Sequence, residues 1–170
     1  IGYDDGSAEN VLLVSGDDEA AVKMTLKDGQ EQALLTAGLF YIDPSWWNPG
    51  GENFQVDVYD ATGPDGGPGK KLTASITAKS DAVPGWIKED LTPYSIYVPK
   101  EYFLVFSSQG PDPYVPTLGF DLSSPFSERF WKLYNGQWNK VEKGSLIGPF
   151  AEGLDAANPM IRSVVSYENK

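Results

Sequence analysis

The 170-residue sequence contains no histidine and no cysteine. Without His there is no Ser-His-Asp or Cys-His relay and no imidazole-ligated zinc, copper or iron. Without Cys there is no thiol nucleophile, disulfide, zinc finger or iron–sulfur cluster. Basic residues are scarce as well. Lys and Arg number 13 against 24 Asp and Glu, a formal net charge of −11. A phosphate backbone needs a basic face, so this balance argues against a nucleic-acid partner. Long apolar runs are missing too. The best one, LLTAGLFYI at 34–42, carries Thr36 and Gly38 and falls well short of the roughly 20 residues of a membrane span. No signal peptide is visible and residue 1 is Ile, so the reading expects a processed or excised piece of a larger protein.

What the sequence does have is enough apolar material for a core: 41% of residues, with 13% aromatic. Gly and Pro number 18 and 13, which points to many turns. Strand signals recur along the chain. AAVKMTL (20–26) sets Val22, Met24 and Leu26 on one face. FQVDVYD (54–60) sets Phe54, Val56 and Val58 inward and Gln55 and Asp57 outward. KLTASITA (71–78) aligns Leu72, Ala74, Ile76 and Ala78. Further strands are predicted at 11–14, 34–42, 85–91, 95–98, 102–108, 117–121 and 159–167. RFWKLYNGQWNKV (129–141) predicts a hairpin, because Asn135-Gly136 suits a type I′ turn. Residues 28–38 are the one place where a short helical turn is expected. The pattern predicts one all-β domain over 1–170, an antiparallel β-sandwich of jelly-roll type with little helix.

Acidic side chains concentrate in glycine-flanked turns. GYDDGSAEN (2–10) brings Asp4, Asp5 and Glu9 together with Asn10 and a flexible Gly6. DATGPDGGPG (60–69) carries Asp60 and Asp65, and SGDDE (15–19) is a third such segment. Calcium takes six to eight oxygens, so Asp4, Asp5, Glu9, Asp60 and Asp65 are the candidate ligands and Ca2+ the candidate cofactor. The plain alternative is solvated turns, since Asp and Gly are common turn residues. The EF-hand spacing is absent. GPDGGPGKKL is not a phosphate loop either, because Leu72 stands where the Walker hydroxyl belongs.

Aromatic residues supply a second candidate. Trp46 and Trp47 lie in DPSWWNPGG and Tyr114 in PDPYVP, both loops; Trp131 and Trp138 flank the Asn135-Gly136 turn. Exposed rings stack on sugars, so these five are candidate ligand contacts. The alternative is that Trp plugs the rim of a sandwich with its N–H on a backbone acceptor. No catalytic residue is singled out. No S-x-x-K exists (Ser163 is followed at the third position by Ser166), and no carboxylate pair sits in a recognisable frame.

The order of landmarks carries a resemblance: YDDGSAEN at the start, then VKMTL, LLTAGLFYID, FQVDVYDATGPDGGPGKKL, YFLVF, LGFDLSSPFSERFWKLYNGQW and a final Met160-Ile161-Arg162. Over about residues 3–166 the chain resembles a non-catalytic β-sandwich domain of large secreted prokaryotic proteins, many of them subtilisin-like or other proteases and cell-surface proteins. The resemblance implies secretion or a cell-surface location, partner domains in the same parent chain, and a role in stabilisation, attachment or docking. It offers no catalytic residue. Missing disulfides are compatible with prokaryotic export. The SWWNPGG segment departs from the pattern as an insertion that would serve this protein's own contacts, with a polysaccharide or cell-surface component as partner.

Overall fold

The computed structural model describes residues 1–14, 17–43, 53–108, 115–143 and 156–167. Two antiparallel sheets form there. The seven-stranded sheet holds β1 (Asn10–Leu12), β3 (Gln32–Asp43), β6 (Gly85–Asp90), β7 (Tyr97–Pro99), β9 (Thr117–Asp121), β12 (Asn158–Pro159) and β13 (Ile161–Ser166). The six-stranded sheet runs β11 (Gln137–Lys140), β10 (Phe130–Tyr134), β2 (Glu19–Thr25), β8 (Glu101–Ser108), β4 (Asn53–Asp60), β5 (Ile76–Lys79). Three pairings are nested in sequence: β2 with β10, β3 with β9, and β4 with β8. Nesting of that kind is a long hairpin wrapped over two layers, the jelly-roll arrangement. Among the described residues helix is limited to two 3-10 turns, Pro64–Gly66 and Thr92–Tyr94.

Strand alternation builds the interior. Val22, Met24 and Leu26 point inward from β2 and its flank, as do Phe54, Val56 and Val58 from β4. Phe40 from one sheet meets Phe54 and Phe106 from the other, with ring centroids 5.5 and 6.3 Å apart; Phe54 and Phe106 are 5.3 Å apart. A buried hydrogen bond of 2.7 Å between the Tyr102 and Ser163 hydroxyls also links the sheets. The hairpin turn forms as read, with φ of 51° at Asn135 and 73° at Gly136.

Two local expectations are corrected. Residues 28–38 give no helical turn: from Gln32 they belong to β3, which is paired on both sides by β7 and β13. Pairing across two neighbours outweighs a weak local helix preference. KLTASITA is a strand only from Ile76; upstream, Lys71 makes a single bridge to Tyr59. The cause lies in the loop 61–70, which doubles back over the outer face of the six-stranded sheet.

That outer face is apolar. Ala21, Phe103, Val105 and Trp131 form a small cluster, with Tyr59, Ala61 and Trp138 packed around it. Gly67 lies flat on Trp131: a Cβ there would sit 2.5 Å from the indole and 3.0 Å from the Pro64 carbonyl. Gly67→Ala is therefore expected to cost about 1–3 kcal/mol through overpacking. Chemical denaturation of the variant checks this.

Candidate functional site

The sequence-derived acids separate into three places. Asp5 and Glu9 converge with a residue the sequence reading left out, Asp121 at the end of β9. One carboxylate oxygen from each lies within 4.8 Å of the others. The opening segment reaches this point because β1 pairs with β9 and so carries residues 5–9 past the end of β9. Asp121 is 0% exposed. Its Oδ1 accepts from the Ser123 and Ser124 amides at 2.8 and 2.9 Å and from the Ser123 hydroxyl at 3.0 Å, and its Oδ2 accepts from the Asp5 amide at 2.9 Å. Asp5 accepts from Ser7 and from the Ser123 hydroxyl. Glu9 accepts from the Ser7 hydroxyl and the Leu122 amide.

These bonds set the charge state. Burial pushes the Asp121 carboxyl up, but the bonds from Ser124, the Asp5 amide and Ser123 outweigh it and hold it well below the usual carboxylate range. Asp5 is also lowered, first by the Ser7 amide and then by the Ser7 and Ser123 hydroxyls. At neutral pH the group is anionic, and among the described residues no Lys or Arg forms an ion pair with any of its three carboxylates. Chemically it brings together three carboxylate oxygens, one from each residue, with the Ser7 and Ser123 hydroxyls at its edge. An oxygen-seeking divalent cation fits such a donor set.

Asp4 is elsewhere. Its side chain is fully buried and held by Arg162, whose Nε and Nη2 reach the two carboxylate oxygens, while the guanidinium lies 4.4 Å above the Trp86 ring. Asp60 serves its own loop: Oδ1 accepts from the Thr62 amide and hydroxyl and from the Lys70 amide. Asp65 is exposed on the Pro64–Gly66 turn at φ 55°. Neither joins the Asp5 group.

The aromatic candidates also divide. Trp46, Trp47 and Tyr114 lie outside the described residues. Trp131 is 5% exposed and meets Phe103 edge to face at 5.9 Å. Trp138 is partly exposed and meets Tyr59 at 5.8 Å. Asp57 was expected to face water from β4; it does point to the outer face, but it is only 2% exposed, with the Lys71 ammonium 2.9 Å from its Oδ2.

Two packed antiparallel sheets with an acidic corner at one end of β9 define a β-sandwich domain. Comparison with known proteins places it beside proteases. Over 99% of its length the chain is 42% identical to a segment of Bacillopeptidase F from Bacillus subtilis (strain 168), and it spans only 11% of that protein. No protein-family model matches. Among solved structures, the clostridial cysteine protease Cwp84 after propeptide cleavage has the same fold, with TM-score 0.67 and 13% identity over 95% of this chain and 38% of that one. A second structure holds the cysteine protease and lectin-like domains of Cwp84, a surface layer associated protein of Clostridium difficile. It gives TM-score 0.62 and 16% identity over 89% of this chain and 32% of that one. Among the described residues no helix is long and apolar enough to cross a membrane.

Proposed function

We propose that this domain is a scaffold of a larger exported protease, tightened by calcium and serving to stabilise and attach its neighbours in the parent chain. The observation that carries this reading is the convergence of Asp5, Glu9 and Asp121. It joins the opening segment to the end of β9 through a site of three like charges that a divalent cation would relieve. The match to a small portion of a much longer peptidase supports the accessory role. Calcium bound only by the folded state adds RT ln(1 + [L]/Kd), about 3–4 kcal/mol at 100 to 1,000 times Kd. Titration calorimetry with calcium chloride should show one site per chain in the wild type and none in Asp5→Asn/Glu9→Gln. A wild type that gives no binding heat at millimolar calcium, with no change in melting, would remove the calcium component.

Sugar binding is the second reading. It rests on the partly exposed Tyr59–Trp138 ring pair and on the lectin-like domain of Cwp84. It ranks below the first because Trp131 is consumed in packing and the described face beside it is closed by the 61–70 loop.

A further inference from the structure

The outer face of the six-stranded sheet hides two acceptor oxygens with no donor. Asp57 Oδ2 takes the Lys71 ammonium at 2.9 Å, but its Oδ1 is buried without a partner among the described residues; so is Glu19 Oε2. Both residues belong to the same face. Asp57 sits opposite Val105, which sits opposite Ala21, and Glu19 is two residues along β2 from Ala21. Ionised carboxylates only accept hydrogen bonds, so nothing in a doubly charged pair can satisfy either oxygen. One proton changes this. A protonated Glu19 becomes a donor, and the group of two carboxyls and Lys71 becomes neutral.

We infer that Glu19 and Asp57 share a single proton and that this proton is a pH-sensitive latch, holding the 61–71 loop on the sheet below neutrality and loosening it above. The charged and titratable groups around the pair fit. From β4 come Asp57 and Tyr59; Lys71 bridges to Tyr59, with its ammonium 5.4 Å from that ring and bonded to Ser75 as well. On the β10 side Lys132 is 3.3 Å from Asp18. Burial first, and then the Asp57 charge, push the Glu19 carboxyl up to about 7, against the pull of Lys71. The folded-state value is raised above the unfolded one. Stability from this group is thus full below about pH 4.5, falls as pH climbs to about 7, and is flat beyond. Above that point two buried charges compete for Lys71, the residue that ties the end of the loop to β4. The latch shares no residue with the Asp5–Glu9–Asp121 group, so the two can be tested apart.

The test follows the Glu carboxyl carbons by NMR in the 170-residue chain between pH 4 and 9, with chelator present throughout. One carboxyl should titrate near 7 and vanish from the spectrum's titrating set in Glu19→Gln. The melting temperature of the wild type should fall by roughly 5–10 °C between pH 5 and 8.5. In Glu19→Gln, which keeps a donor and carries no titrating proton, most of that fall should be absent. Asp57→Asn should bring the Glu19 titration down from about 7, with burial still holding it above the ordinary glutamate value, even if the glutamine variant folds poorly. A wild-type Glu19 that titrates at 4–5, or an undiminished melting slope in Glu19→Gln, overturns the proposal.

Discussion

Asp121→Ala should lower stability by about 3–5 kcal/mol and free the opening segment for proteolysis. The carboxylate is completely buried and is the acceptor for three backbone amides, those of Asp5, Ser123 and Ser124, and for one hydroxyl. Alanine leaves all these donors without it. Hydrogen bonds to a charged group are worth about 1.5–3 kcal/mol each in isolation but overlap when they share one acceptor, so the sum is smaller than the count suggests. For a chain of this size the loss corresponds to roughly 10 °C in melting temperature. The pH dependence has a definite sign. The Asp121 carboxyl is held below its ordinary value, so its contribution is complete above the usual carboxylate range and is lost only as pH falls through the depressed value. Mild acid should therefore spare this corner. Limited proteolysis, read by the masses of the released fragments, checks whether the opening segment is what comes loose.

Phe106→Ala should be of similar size and different in kind. Its ring lies between Phe40 of the facing sheet and Phe54 of its own, all three fully buried. Truncation removes transfer free energy and leaves a cavity between two sheets that cannot close without shifting both, which costs about 3–5 kcal/mol. Phe106→Leu keeps most of the volume and should cost about 1–2 kcal/mol. The contrast with Asp121 is informative because the calcium response should survive in a folded Phe106→Leu chain and disappear in Asp121→Ala. Denaturant midpoints measured with and without calcium separate the two.

Much of the fold was legible in the residues because it depends on local alternation. Period-two patterns in AAVKMTL and FQVDVYD put the observed core residues inward, and Asn135-Gly136 set the β10–β11 register of Tyr134 with Gln137. What the sequence could not show depends on distant chain meeting. Asp121 closes the acidic group from 116 residues away, and at the end of LGFD it looks like any strand terminus. The only local signal was Asp followed by serines at the second and third positions, a pattern in which the side chain accepts the following amides. Asp4 read like its neighbour Asp5, yet Arg162 claims it from the far end of the sequence. Asp57 obeyed the alternation and was still not solvated, since Lys71, from beyond the returning loop, reaches it on the outer face. Glu19 looked like part of a solvated acidic turn and instead opens β2 on a buried face.

Calcium bound at the Asp5, Glu9 and Asp121 corner is expected to stiffen the scaffold. The direct measurement is a pair of melting curves on the 170-residue chain, one in millimolar calcium and one in excess chelator, repeated for Asp5→Asn/Glu9→Gln. The expected result is a rise of roughly 6–15 °C with calcium in the wild type, the equivalent of about 3–4 kcal/mol, and no rise in the variant. Coincident wild-type curves, or a variant that responds to calcium as fully as the wild type, would contradict it.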